Sequence, residues 1–344
     1  PDIEGEADIV EEILRIYGFD QIPLTNVSDH NNKKNVLSAE LKSFYKIKRT
    51  IANTGYIEAV TWSFMDEKIA KLLSANVIMI KNPISAELDV MRPSNIPNLL
   101  SAVNLNKSKM ITSGKIFEVG PIFDETLEDK QVNVATGIGY GNVSGNNWNS
   151  PKKDFDVFAI KSDLMTILKS LNAPIDNLNY EAINNKVFHP GKSSSLRIGK
   201  NIIANFGELN PILLKSLDIS NTVVAFEIFT ETLAQFQNKK TSTISAFDNN
   251  PFQMVERDFA FLLPKSIKAN DIVNKIKKID KKIINKVSIF DVYEGEKIDN
   301  DSKSIAIRVQ LQPLEKTFSD EEIESFSNQI IDLVITSFSA TLRK

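Results

Sequence analysis

The sequence predicts an α+β protein, and three observations predict it. Strand-like runs sit in blocks beside segregated helical stretches, which argues against an alternating parallel α/β sheet. From Arg257 onward the pattern switches cleanly between strand-like alternation and helical spacing. At 344 residues the chain exceeds one comfortable core, so two or more domains are expected.

The elements follow in order. A first helix carries Asp8, Glu11 and Glu12 and ends at Gly18. Ser38–Thr54 is a second helix, with Leu41, Phe44, Tyr45, Ile47, Lys48 and Ile51 giving a broad apolar side. Glu58–Phe64 alternates as a strand, and Ile96–Leu105 has helical spacing. Lys115–Phe123 and Val132–Tyr140 read as strands, followed by a Gly/Asn/Ser/Pro loop over Gly141–Lys153. Phe155–Leu171 reads as a helix with Phe158, Leu164, Ile167 and Leu168 on one stripe; strands resume at Ser194–Gly207 and Val223–Phe229. Polar, breaker-rich stretches at 24–36 and 237–246 are the expected linkers. They separate a carboxylate-bearing helix (1–23), a central core (37–236) and a C-terminal domain (247–344).

The C-terminal domain is the most legible. Arg257–Leu263 alternates and is rich in β-formers, and Ala269–Ile279 places Ile272, Val273, Ile276 and Ile279 on one helical stripe. Two strands follow, Ile284–Tyr293 and Ser304–Leu311, around a polar turn at Gly295. Ser319 and Glu322 form a capping box that opens a helix reaching Phe338, and Ala340–Arg343 is a short closing strand. Strand–helix–strand–strand–helix–strand is the ferredoxin-like order. Many functions share that order, so particular residues must decide.

Composition excludes several classes. No cysteine means no disulfide framework and no thiolate chemistry. His30 and His189 lie far apart and give no metal-ligand spacing. No apolar run is long enough to span a bilayer. A net charge of −3 argues against nucleic-acid binding by bulk charge, so any RNA contact must be local. The chain opens at Pro1, not methionine, and enters a helix almost at once, so a piece of a longer protein is expected.

Asp2, Asp8, Glu11 and Glu12 could converge as hard oxygen ligands for hydrated Mg²⁺. The alternative is ordinary helix chemistry, with acids favouring the N-terminus and Glu11 pairing with Arg15. In Phe290-Asp291-Val292-Tyr293 the tyrosine is either a core residue or a platform for an unpaired base. Asp291, two residues earlier on the same strand face, could accept from the donors on guanine's Watson–Crick edge. Lys275, Lys278 and Lys282 belong to the densest basic run, either a solvated helix face or a weak RNA-backbone contact. Gly137, Gly139 and Gly141 miss the spacing of phosphate-binding loops and read as glycines of a strand edge near a loop. His189-Pro190-Gly191-Lys192 reads as a turn.

Several stretches together resemble one family. PFQMVERDFAFLL, IFDVYEGEKI, KSIAIRVQLQ and LEKTFSDEEI, in that order, resemble the ferredoxin-fold anticodon-binding domain that closes the β subunit of bacterial phenylalanyl-tRNA synthetases. PDIEGEADIVEEILRIYGFDQIP is similar to the end of the domain preceding the synthetase-like core of that subunit, and NPISAELDVMRPSNIPNLL, IFEVGPIF and FHPGKSSSL are similar to the core itself. The resemblance implies a class II aminoacyl-tRNA synthetase-like antiparallel sheet core with flanking helices. It implies that Asp2, Asp8, Glu11 and Glu12 bind magnesium at the boundary with an α subunit. It implies that Asp291, Tyr293 and Ser304 meet the first anticodon base.

It further implies an α₂β₂ heterotetramer in the cytoplasm, in which α joins phenylalanine to tRNA(Phe) with ATP, and editing domains that would lie outside this stretch. Active class II members carry arginines that grip the ATP phosphates, because planar bidentate cations suit phosphoryl chemistry. Here Lys115-Ile116-Phe117-Glu118 holds the motif-2 place without that arginine, and no motif-3 arginine helix follows. The expected role is a non-catalytic subunit that supports α and binds the anticodon. A self-sufficient ligase would need the missing arginines. A stand-alone RNA-binding or regulatory paralogue is the alternative.

Overall fold

The computed structural model describes residues 2–24, 37–126, 131–144, 148–149, 151–237, 250–295 and 298–343. Residues 25–36 and 238–246 of the expected linkers, and His30 with them, lie outside the described residues. The chain forms two compact units, Pro1–Lys239 and Lys240–Lys344.

The first unit is built on a seven-stranded mixed sheet. In chain order its helices and strands are α1 (Glu6–Tyr17), α2 (Ala39–Asn53), β1 (Ile57–Glu58), β2 (Phe64–Met65), α3 (Glu67–Leu73), β3 (Val90–Met91), α4 (Ile96–Ser108), β4 (Gly114–Phe123), β5 (Gln131–Tyr140), α5 (Val157–Ser170), β6 (Asn179–Glu181), β7 (Phe188–Ile198), β8 (Asn201–Leu209), α6 (Pro211–Ser216), β9 (Val223–Phe229) and α7 (Thr230–Gln237). The sheet runs β1-β4-β5-β9-β8-β7-β6, antiparallel except for the β1–β4 pair.

Helices cover both faces of this sheet, so its central strands are apolar on alternate residues in both directions. Phe117, Phe226, Ile228 and Leu196 pack with Ile47 and Ile51 of α2, Leu164 and Leu168 of α5 and Leu233 of α7. Ile116, Ile138, Val223 and Ala225 pack on the other side with Leu99, Leu100 and Val103 of α4 and Leu213 and Leu214 of α6.

Several expectations need correction. The alternating stretch Glu58–Phe64 is not one strand: two-residue β1 and β2 flank an irregular segment. That segment is held by side chains, Thr61 donating to Glu118 and the Trp62 carbonyl accepting from Arg92 and Asn98. Phe158 sits on the first turn of α5 but is 72% exposed, and Ile160 takes the buried place. His189–Lys192 is not a turn but a bulged stretch inside β7, where the register slips between Phe188 and Ser193. Gly137 and Gly139 lie in central β5 and not at an edge. A Cβ there would sit 2.4 Å from the Phe226 ring and 2.9 Å from Phe155, so these glycines admit aromatic rings onto the sheet.

The second unit has the ferredoxin-like order: β10 (Val255–Pro264), α8 (Ala269–Lys277), β11 (Ile284–Tyr293), β12 (Ser302–Leu311), α9 (Asp320–Phe338) and β13 (Thr341–Leu342). Its sheet runs β11-β12-β10-β13. Phe259, Phe261, Leu263, Ile305, Ile307 and Val309 alternate onto the face covered by α8 and α9, against Ile272, Ile276, Ile330 and Val334. The capping box is present: the Ser319 hydroxyl accepts from the Glu322 amide, and the Glu322 carboxylate accepts from the Ser319 amide. Among the described residues no helix is long and apolar enough to cross a membrane.

Candidate nucleic-acid interface

Period-two alternation sends the residues between the core positions of β10 and β12 to the other face, which neither helix covers. Register fixes their neighbours: Asp258 with Arg308, Ala260 with Ala306, Leu262 with Ser304. On β11, Asp291 lies opposite Ala306 and Tyr293 opposite Ser304. The sequence reading of Asp291 and Tyr293 as residues of one strand face therefore holds, and Ser304 joins them across the strand. Asp291 is exposed above the small side chains of Ala306 and Ala260, so the face is shallow there.

Ser304 is buried. Its Oγ accepts from Arg343 Nη1 at 3.4 Å, and the Arg343 guanidinium lies 5.7 Å from the Tyr293 ring centroid. The Arg343 amide donates to the Ala260 carbonyl at 2.8 Å, which ties this arginine to the edge of β10. A Cβ at Gly295 would meet the Tyr293 hydroxyl at 2.5 Å, so a glycine there lets the ring lie close over the turn. Arg343 was missed by sequence reasoning. Its signal was alternation with Thr341 in the closing strand, but only the register shows which face that strand serves.

The far half of the open face is charged, and its charges pair with one another. Arg308 donates to both oxygens of Asp258, at 2.8 and 2.7 Å, and lies 3.4 Å from Glu256, which also accepts from Gln310 at 2.6 Å. Hydrogen bonds from Arg308 hold the Asp258 carboxyl below the usual carboxylate range. Lys275, Lys278 and Lys282 are exposed, but they belong to the α8 layer and its following turn, on the other side of the sheet. Lys286 is the member of that run opposite Gln310.

The first unit also carries a row of polar residues, and it is covered. Glu118, Thr136, Glu227, Asn205 and Ser195 are register partners across β4, β5, β9, β8 and β7, all buried. The end of α4 closes over them: Ser94 Oγ donates to Glu227 at 2.9 Å and Asn95 Nδ2 to Thr136 at 3.3 Å. Burial pushes the Glu227 carboxyl up, against the pull of its bonds from Ser94 and Asn205. Arg92, 1% exposed, donates to Glu118 at 2.7 Å, Thr61 at 3.0 Å and the Pro121 carbonyl at 2.9 Å. Arg197 pairs with Glu181 at 2.6 Å. Both arginines are thus paired with carboxylates of the chain.

At the first helix the four acidic residues are not gathered. Asp8 accepts from the Glu4 and Gly5 amides, each at 2.8 Å, which holds its carboxyl low and caps α1. Arg15 pairs with Glu12 at 2.6 Å, not with Glu11 as the spacing suggested. Asp2 and Glu11 are exposed. Among the described residues no three His, Cys, Asp or Glu side chains are grouped to hold a metal ion. As placed, these carboxylates do not fit Mg²⁺. α1 buries none of its residues, and Ile9, Ile13, Ile16 and Tyr17 are more than half exposed.

This unit has one helix-covered face and one open face bearing a tyrosine, a carboxylate and an arginine, and residues 250–343 match the model described as the ferredoxin-fold anticodon binding domain. Residues 22–230 match the phenylalanyl tRNA synthetase beta chain CLM domain. Relatives named phenylalanine–tRNA ligase beta subunit include that of Rhodospirillum rubrum, 36% identical over 99% of this chain and 43% of the relative. The one from Bartonella henselae is 38% identical over 100% and 44%. The chain belongs to the phenylalanyl-tRNA synthetase β chain family. It spans less than half the length of these relatives.

Proposed function

We propose that this chain is a non-catalytic part of a phenylalanine–tRNA ligase, lending an α subunit structural support and the tRNA an anticodon-reading face. The observation that carries this reading is the alignment of Asp291, Tyr293 and Ser304 on one open sheet face of a unit that matches an anticodon-binding domain. Tyr293 stacks an unpaired base, and the Asp291 carboxylate accepts from the N1–H and N2–H₂ donors of a guanine. Ser304 and Arg343 support the ring, Arg343 lying 5.7 Å from its centroid and donating to Ser304. Lys275, Lys278 and Lys282 lie in the α8 layer and contribute a weak, salt-dependent attraction at most.

Catalysis falls to the partner. The motif-2 place holds no phosphate-gripping arginine, and Arg92 is enclosed with Glu118. ATP, phenylalanine and tRNA(Phe) are substrates of the assembled enzyme, an α₂β₂ heterotetramer of the cytoplasm in this reading. Leu41 and Tyr45 of α2, 39% and 47% exposed, are the apolar residues left for the α subunit to cover. Magnesium at Asp2, Asp8, Glu11 and Glu12 belongs to the same reading. It requires Arg15 to release Glu12 and Asp8 to leave its cap, and no step depends on it. An assembly equally stable in chelator and in magnesium removes it.

The test is tRNA binding by the assembled enzyme carrying Tyr293→Ala. We expect a loss worth about 1–3 kcal/mol that is selective for the cognate anticodon. Equal loss for every tRNA, or none, overturns the anticodon reading.

A further inference from the structure

We infer that Phe290 is a second nucleobase platform, taking the unpaired base next to the one stacked on Tyr293. This rests on the anticodon reading and extends it from one base to two. Simple alternation would turn Phe290, the residue before Asp291, toward the helices. The register says otherwise: Ile289 lies opposite Ile307 and Asp291 opposite Ala306, so Phe290 is the extra residue of a β-bulge. Its ring is 56% exposed and lies 5.3 Å from the guanidinium carbon of Arg308. Arg308 stands on the open face, opposite Asp258. The bulge therefore brings Phe290, Asp291 and Tyr293 to one side.

The two aromatic rings have matching supports. Phe290 is backed by Arg308, which Asp258 holds through two hydrogen bonds; Tyr293 is backed by Arg343, which Ser304 holds. A cation fixed by a third side chain keeps each ring in place before RNA arrives, which lowers the ordering penalty of binding. Asp258 and Glu256 more than offset the charge of Arg308, so it serves as a backing group and not as a phosphate anchor. Three residues of extended strand separate the rings by roughly 7–10 Å. That is wider than the roughly 3.4 Å between stacked bases, so the pair takes two neighbouring bases splayed apart, as in an unpaired loop. Phenylalanine has no polar edge, so this subsite adds affinity for any base while Asp291 and Tyr293 choose.

The experiment measures binding of a tRNA(Phe) transcript, intact or abasic at each anticodon-loop position in turn, to the assembled full-length enzyme. Phe290→Leu is expected to bind the intact transcript about tenfold more weakly. One abasic position, adjacent to the one that cancels the Tyr293→Ala effect, should cancel the Phe290→Leu effect. Phe290→Trp should bind at least as well as the parent. Phe290→Leu binding like the parent while Tyr293→Ala does not, or Phe290→Trp binding no better than Phe290→Leu, overturns the second platform and leaves the anticodon reading standing. If neither Phe290→Leu nor Tyr293→Ala weakens binding, both fall.

Discussion

Each unit of this chain has a sheet with a row of side chains set apart from its core, across the strands in the first and along β11 in the second, and the two rows have opposite fates. In the first unit Glu118, Thr136, Glu227, Asn205 and Ser195 are buried, with α4 closing over the row through Ser94 and Asn95. In the second, Asp291, Tyr293 and Phe290 face outward with no helix over them. Buried polar groups must find partners inside the protein, and those of the first row largely do. Exposed polar groups beside a fixed ring are left to meet something else. The polar row of the first sheet is largely satisfied from within the unit, while the recognition chemistry we propose lies on the small open sheet.

The two arginine–carboxylate pairs make that contrast measurable. Arg92→Ala leaves Glu118 buried without its cation and should cost about 3–5 kcal/mol in urea unfolding of the first unit. A loss below about 1 kcal/mol would mean the covered row is not holding the fold. Tyr293→Ala, by contrast, should cost only about 1 kcal/mol of stability while weakening tRNA binding, because the ring is 37% exposed and lies on the face opposite the core. A large drop in melting temperature would make Tyr293 a folding residue. Asp258→Ala breaks an exposed pair and should cost less than about 1 kcal/mol, declining with added salt.

The smallest expected effect has a sign that separates the rows. Burial raises the Glu227 pKa in the folded state, so the folded protein holds that proton more tightly than the unfolded chain. Stability from this group is full below the unfolded pKa and is lost as pH rises through the folded one. Glu227→Gln should therefore melt higher than the parent at neutral pH, with the difference shrinking as pH falls below the ordinary glutamate range. Melting curves across that range decide it. A difference that grows on acidification would mean Glu227 is ionised and stabilised in the fold.

The second unit was almost wholly legible because its signals are local. Alternation gave β10 and β12, and helical spacing gave α8. The Ser319–Glu322 box fixed the start of α9, and Asp291 and Tyr293 share a face by parity alone. What escaped depends on pairing between distant strands. Phe290 shares a face with Asp291 and Tyr293 only because β11 slips one residue against β12, and Arg343 matters only because β13 lies beside β10. In the first unit, Glu58–Phe64 alternated convincingly, yet backbone bonds hold only its ends, and Thr61 and Trp62 between them bond to the side chains of Glu118, Arg92 and Asn98. Phe158 has helical spacing without burial, since spacing fixes a stripe but not its depth. The four acids of the first helix were visible as a pattern, but which of them Arg15 would take was a matter of geometry.

The irregularity in β11 has one more consequence, and it concerns other copies of the chain. β11 is the outermost strand of its sheet, ten residues long, and a straight outer strand offers its free backbone to any passing strand. The slip at Phe290 breaks that offer midway, and Lys286 and Asp291 put opposite charges on either side of the break. The same extra residue that brings an aromatic ring onto the open face thus also discourages neighbouring molecules from zipping together along this border.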